Sequence, residues 1–480
     1  MLLPENQRWK DPAAHMSIVR RGHILHVSSR ATLETAREHL ISVEDGALAV
    51  DDEGRIAYSG PYSALPHQCR SWAVRDHRPG YLLPGLIDTH IHFPQVHSTG
   101  LYVGGQLLDW LDRHIFPTES RFADPNVAAD AAWAFCSRRI AVGTTTALVF
   151  GSAFPAAQNA LFAATHHRGL RMICGRTIQT SGPPTAKKLL TSENEAISLT
   201  REEISRWHAK DTGNAATALL HVAITPRFAL SVTPKTLAEL GDLYHEARGS
   251  GVYFQTHFSE DNRPGVGEVD STKRLFQTDS YLDVYDGKFL PGSRPGGLSF
   301  LGPRAVLAHT VHATDAELAR IAQTGTAISH CPTSQLFLGS GTMPWRRTVA
   351  SGATVSLGSD IGGGDEWLLT RVLNDCYKVH MNEQGAAQVA LHPAELLYTA
   401  TVAGAKALCL DERIGSLDSG KEADFLVVRT QDQPWLDELI EKVVPKEHRD
   451  LEAEQLLFSL IMGMKEEAIS EVYVRGRLVS

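Results

Sequence analysis

His90 and His92 flank Ile91 at the end of the apolar run Gly85-Leu86-Ile87-Asp88-Thr89, where the alternation of a strand turns both imidazoles to one side. With 22 histidines in 480 residues, about one His-x-His pair is expected by chance, so the spacing alone decides nothing. The setting does more, because two nitrogen donors leaving one strand end together suit a divalent metal. His257 closes Phe254-Gln255-Thr256-His257, and Asp360 closes Leu357-Gly358-Ser359-Asp360. Three neutral imidazoles and one carboxylate can hold one ion and leave room for a water whose pKa that ion lowers. Taken singly, His257 also fits a satisfied strand-end histidine and Asp360 a helix cap. Their joint placement at strand ends favours the metal.

Glu260 stands three residues beyond His257, where the chain leaves a strand, and is the candidate general acid/base. The plainer alternative is a solvated loop carboxylate. His309 ends Leu307-Ala308-His309 and is placed to orient a hydroxide, with His312 as a weaker rival. His330, before Cys331-Pro332, fits a supporting role or a structural hydrogen bond equally well. No lysine stands in Thr225-Pro226-Arg227-Phe228 to be carboxylated between two ions, which disfavours a binuclear centre. Arg227 instead offers a rigid fork of donors, Gln95 an amide edge, and Phe228, Phe93 or Phe258 a face for a flat ring. A surface arginine and core phenylalanines are the bland alternatives.

Such residues need a scaffold that gathers strand ends on one side. Eight strand-like runs, at 86–90, 144–150, 171–178, 219–225, 252–257, 305–309, 326–330 and 354–359, alternate with helix-period segments. Those helices include 155–167, 236–248 behind Thr233-Pro234, and 315–323 behind the cap Thr314. The pattern predicts an α/β fold, a (β/α)8 TIM-like barrel over 85–410 with its site at the C-terminal strand ends. A doubly wound open sheet competes, but no glycine-rich phosphate loop follows an early strand. Residues 20–84 and 411–480 are strand-rich and turn-rich, with a charged helical stretch at 435–464. Neither terminal segment buries a sufficient core alone, so together they are expected to form one small β-sandwich domain. Residues 1–19 are an N-terminal extension, with Met16 as an alternative start.

Composition excludes other classes. No apolar run approaches the roughly 18 residues of a membrane span. A formal charge of -9 supplies no positive field for a phosphate backbone, so a small-molecule partner is expected rather than nucleic acid. The six cysteines are scattered without a Cys-x-x-Cys pair and are expected to be reduced thiols. The N-terminus lacks the basic start and apolar core of a secretory signal, which points to the cytoplasm.

The run Pro84 to His92, the His257 strand, Ala308-His309, His330-Cys331-Pro332 and Gly358-Ser359-Asp360 together resemble the metal-dependent amidohydrolase superfamily. Ile414-Gly415-Ser416-Leu417 and Gly420-Lys421-Glu422-Ala423-Asp424 resemble that superfamily's return into its β domain. Within it, His92-Phe93-Pro94-Gln95, Leu108-Asp109-Trp110-Leu111, Phe116-Pro117, Arg121-Phe122, Thr225-Pro226-Arg227-Phe228 and His257-Phe258-Ser259-Glu260 are similar to the guanine deaminases, over nearly the whole chain from about residue 20. The resemblance implies one zinc per chain on His90, His92, His257 and Asp360, although imidazole and carboxylate donors also accept iron. It further implies Glu260 as proton shuttle, Gln95, Arg227 and Phe228 around the purine, and a homodimer. The implied reaction is hydrolysis of guanine to xanthine and ammonia. Asp360 and Glu260 are the candidate acceptors of the water proton, and His309 fixes the hydroxide or steadies the developing oxyanion. Three features depart from the pattern: Gln335 in place of asparagine, Thr310 where glycine is frequent, and the segment 179–191. The competing expectations are a relative acting on an oxidised purine, an s-triazine or a pterin, and a non-catalytic scaffold. A scaffold would show eroded ligands, and every ligand is intact.

Overall fold

The computed structural model describes residues 17–101, 106–289, 297–445 and 449–479. The expected N-terminal extension, as far as residue 16, lies outside the described residues. Eight strands, Leu86–His92, Thr144–Phe150, Arg171–Gly175, Leu220–Pro226, Tyr253–Phe258, Ala305–His309, Ala327–His330 and Thr354–Leu357, pair in that order. Each runs parallel to the next. The barrel closes by bonds between its eighth and first strands. Asp360 N–H donates to His90 O at 2.8 Å, and the Thr89 hydroxyl donates to Leu357 O at 2.9 Å.

The expected third strand, 171–178, is divided. Arg171–Gly175 and Thr177–Ile178 both pair with the fourth barrel strand, but Arg176 between them leaves the ladder. Its backbone N–H donates to the Glu203 carboxylate at 3.0 Å, so an acid from a neighbouring helix replaces the strand partner.

Ile87, Leu148, Ile173, Ala223, Tyr253, Val306 and Ala327 point inward and, with Leu408 and Ile414, form an apolar floor. The register shift between Asp88 and Ile91 switches the parity of the first strand, so His90 and His92 also face inside above Ile87. Helices pack the outside, and several of them start at side-chain caps. Thr233 caps Pro234–Ala247, and Thr314 with Glu317 forms a capping box on Asp315–Thr324.

The terminal segments build one seven-stranded sheet, in the order Arg477–Leu478, Ile469–Val474, Phe425–Val428, Ala73–Pro84, Ile18–Val27, Leu40–Val50, Ile56–Pro61. This sheet curls on itself. Ile56 of its edge strand donates to Lys421 O and accepts from Gly420 N, and Ile24, Leu48, Ile56, Leu82, Phe425 and Tyr473 share the enclosed core. Gly54 lies in the left-handed region, and a Cβ there would fall 2.2 Å from Arg475 O, so the close approach requires glycine. The Gly420-to-Asp424 motif ties sheet to barrel. Arg171, fully buried in the third barrel strand, donates to Glu422 at 2.6 Å and to Asp424 at 3.1 Å. The expected helical stretch at 435–464 corresponds to the helices Pro434–Val443 and Arg449–Gly463.

Candidate metal centre and active-site cleft

Ligand atoms of His90, His92, His257 and Asp360 lie within 4.8 Å of one another at the C-terminal end of the barrel. His90 Nε2 and His92 Nε2 stand 3.2 and 3.3 Å from Asp360 Oδ1, and His92 Nε2 stands 3.1 Å from His257 Nε2. Donors around one tetrahedral ion at about 2.0–2.1 Å are separated by about 3.4 Å, so this spacing is that of a shared ligand sphere. Three further observations fit a metal. Burial lowers the His92 imidazole to about pH 4 and His257 well below its ordinary value, so both are neutral with lone pairs available. His90 Nε2 is buried without a hydrogen-bond partner. His257 Nδ1–H donates to the Arg227 carbonyl at 2.5 Å, which fixes the tautomer and aims Nε2 at the cluster.

Asp88 locks this geometry from below, accepting the N–H groups of His90 and Ser359 at 3.1 Å each and the Ser359 hydroxyl at 2.5 Å. Above the strands, Ser259, His309, Thr310 and Asp360 all adopt positive φ, between 49° and 71°. Left-handed backbone is costly for residues with a Cβ and persists where surrounding structure enforces it. At Thr310 this is a conformation that glycine would adopt without a Cβ penalty.

Glu260 is 1% exposed, and its Oε2 lies 3.3 Å from His309 Nε2. Burial, then the neighbouring Asp360 and Glu268 carboxylates, push its carboxyl well above the usual range. It is therefore a buried carboxyl with a raised proton affinity, able to take up and hand on a proton, and not a solvated loop carboxylate. His309 is also 3.9 Å from Asp360 Oδ2, and burial lowers it to about 3, so it is a neutral ring. His312 turns away to Ser340 O at 2.8 Å. His330 pairs with His380, Nε2 to Nε2 at 3.1 Å, and does not line the cleft.

A cleft of about 360 Å³ opens over the cluster. Its polar wall is Gln95, Arg227, His92, His257, Glu260, Glu268 and Asp360, and its apolar wall is Leu107, Trp110, Leu111, Phe228 and Leu338. Of the three phenylalanines considered from sequence, only Phe228 lines the cleft. Phe93, in the turn after the first strand, packs on Phe122 and Phe135, and Phe258, on the strand face opposite His257, packs on Tyr281, so both lie in the core. The divergent segment 179–191 backs the apolar wall, where Ala186 and Leu189 pack in one cluster with Trp110 and Phe228. Gln335 is buried away from the cleft, its oxygen 3.4 Å from Met343 N.

Two carboxylates escaped the sequence reading. Glu119 accepts from Gln95 Nε2 at 2.9 Å and from Arg227 NH1 at 2.7 Å. Glu268 accepts the backbone N–H of Glu260 at 2.9 Å and the Tyr281 hydroxyl. Glu119 lies three residues after Phe116 in a motif already noted, and that proximity was its one available signal.

Residues 81–479 match the Amidohydrolase family. The chain is 37% identical over 447 residues to a probable guanine deaminase of Deinococcus radiodurans, covering 92% of this chain and 94% of that one. It is 35% identical over 439 residues to guanine deaminase of Escherichia coli, covering 91% of each. The solved structure of the Escherichia coli guanine deaminase superposes with a TM-score of 0.84 at 32% identity, over 97% of this chain and 99% of that chain.

Proposed function

The chain belongs to the Amidohydrolase family, and from that premise we propose that it hydrolyses guanine to xanthine and ammonia. One observation carries the reading: Gln95, Arg227 and Phe228 line the same cleft as Glu260 and the His92, His257 and Asp360 cluster. A recognition wall for a flat, polar-edged ring thus faces a hydrolytic centre.

His90, His92, His257 and Asp360 would hold one zinc, and iron suits the same donors. When bound, that metal lowers the pKa of a water and polarises the carbon to be attacked. Asp360 and Glu260 stand within reach to take the water's proton. The water oxygen bonds to C2 of guanine while Glu260 delivers a proton to the neighbouring ring nitrogen. The new C2 hydroxyl then gives up its proton through Asp360 and Glu260 to the exocyclic amine, so that the C2–N bond breaks as the C2 carbonyl forms and the amine leaves as ammonia. Neutral His309, beside both carboxylates, orients the attacking oxygen by hydrogen bonding. Arg227 and Gln95 hold the carbonyl and amide edge, and Phe228 packs on the ring.

The same reading assigns catalysis to residues 85–410 and a supporting role to 20–84 with 411–480. It extends to purine catabolism and a homodimer, and to a cytoplasmic location, for which the six free cysteines are the supporting feature. No described helix is long and apolar enough to cross a membrane. The reading is tested by offering the protein guanine, adenine and an amino-s-triazine in parallel. Turnover of guanine above the other two is expected, and preference for either of the others moves the substrate.

A further inference from the structure

Glu119 is 3% exposed and ends the helix Phe116–Glu119 beside the cleft. A carboxylate only accepts hydrogen bonds, so the group of Gln95 facing it at 2.9 Å must be the NH2. This settles which way the amide lies, since oxygen and nitrogen are otherwise interchangeable in shape. Gln95 Oε1 is left on the far side, buried and without a protein partner. It lies over Gly362, where a Cβ would fall 2.0 Å from it. The second carboxylate oxygen of Glu119 takes Arg227 NH1 at 2.7 Å, and Phe116 lies under the guanidinium, so the fork has a fixed orientation.

We propose that Glu119 is the positioning residue that sets the hydrogen-bond polarity of the cleft. It presents Gln95 as an acceptor and Arg227 as a donor, and the cleft thereby selects a heterocycle edge with a ring N–H beside a carbonyl. The proposal rests on the cleft being the guanine site. An edge of opposite polarity, with a bare ring nitrogen beside an amine, sets lone pair against lone pair at Gln95 and hydrogen against hydrogen at Arg227. Rejection of that edge follows from unpaired buried groups.

Guanine and 2,6-diaminopurine test this directly, because both carry the amine on C2 and differ in the neighbouring edge. The ratio of their kcat/KM values is measured for the wild type and for Glu119→Gln, with metal content and thermal unfolding in parallel. The ratio is expected to fall at least tenfold in the variant at unchanged metal content, mainly through KM for guanine. Glu119→Asp keeps the charge but reaches one partner less well, and is expected to fall between them. A folded variant in which both substrates lose efficiency equally overturns the proposal. Loss of the fold in both variants also overturns it, making Glu119 an ion-pair partner only. A wild type that turns over neither purine refutes the guanine reading itself, and with it this one.

Discussion

The carbonyl of Arg227 accepts the Nδ1–H of His257 at 2.5 Å, while the Arg227 side chain lines the cleft. On the proposed function, one residue therefore aims a metal-binding histidine with its backbone and faces the substrate with its side chain. The two jobs separate on mutation. Arg227→Ala keeps the carbonyl, so bound metal is expected to stay near one per chain while kcat/KM for guanine falls about 100-fold, in line with the loss of a charged hydrogen bond. Because the variant leaves the buried Glu119 with Gln95 but without its counter-ion, a stability loss of about 3–5 kcal/mol is expected as well. Unchanged catalytic efficiency would reduce Arg227 to a structural residue.

Glu260→Gln preserves shape and removes the transferable proton. Metal content is expected to hold, and kcat to fall by about 10²–10⁴. A variant that retains activity takes Glu260 out of the reaction.

His90→Ala and Asp360→Ala each remove one donor from the cluster of four. Metal per chain, measured by elemental analysis after dialysis, is expected to drop well below one, with turnover falling in step. A fully loaded and active variant sinks the ligand assignment.

Glu203 supplies a pH test remote from the centre. It is buried against Gln158 and the backbone of Arg176, and burial pushes its carboxyl up to about 7 from 4.5. The native state therefore keeps a proton that the unfolded chain releases above pH 4.5. This group's contribution to stability is present below that pH and is lost as pH rises to about 7, by up to about 3 kcal/mol. Glu203→Gln has no proton to lose. Its melting temperature relative to wild type is expected to rise between pH 5 and pH 8, and parallel profiles would refute the assignment.

Much of this was legible before any coordinates, for physical reasons. Barrel strands are buried on both faces and bounded by glycine, proline or caps, so the runs at 144–150 and 305–309 coincide with the strands Thr144–Phe150 and Ala305–His309. Histidines and an aspartate at strand ends are conspicuous because such positions seldom need them. Glu119 and Glu268 were not legible, since a glutamate in a short helix looks solvated until tertiary contacts bury it. Nor was the Arg176 break, which depends on a carboxylate 27 residues away. Phe93 and Phe258 were indistinguishable from Phe228 without knowing which face of the chain meets the cleft.

The most direct test of the central claim is a single reaction in which metal-quantified protein is given guanine, and xanthine and ammonia are followed together with and without a chelator. Equal release of both products, abolished by the chelator and restored by zinc, is the predicted result. A protein carrying about one metal per chain that releases neither product from guanine would contradict it.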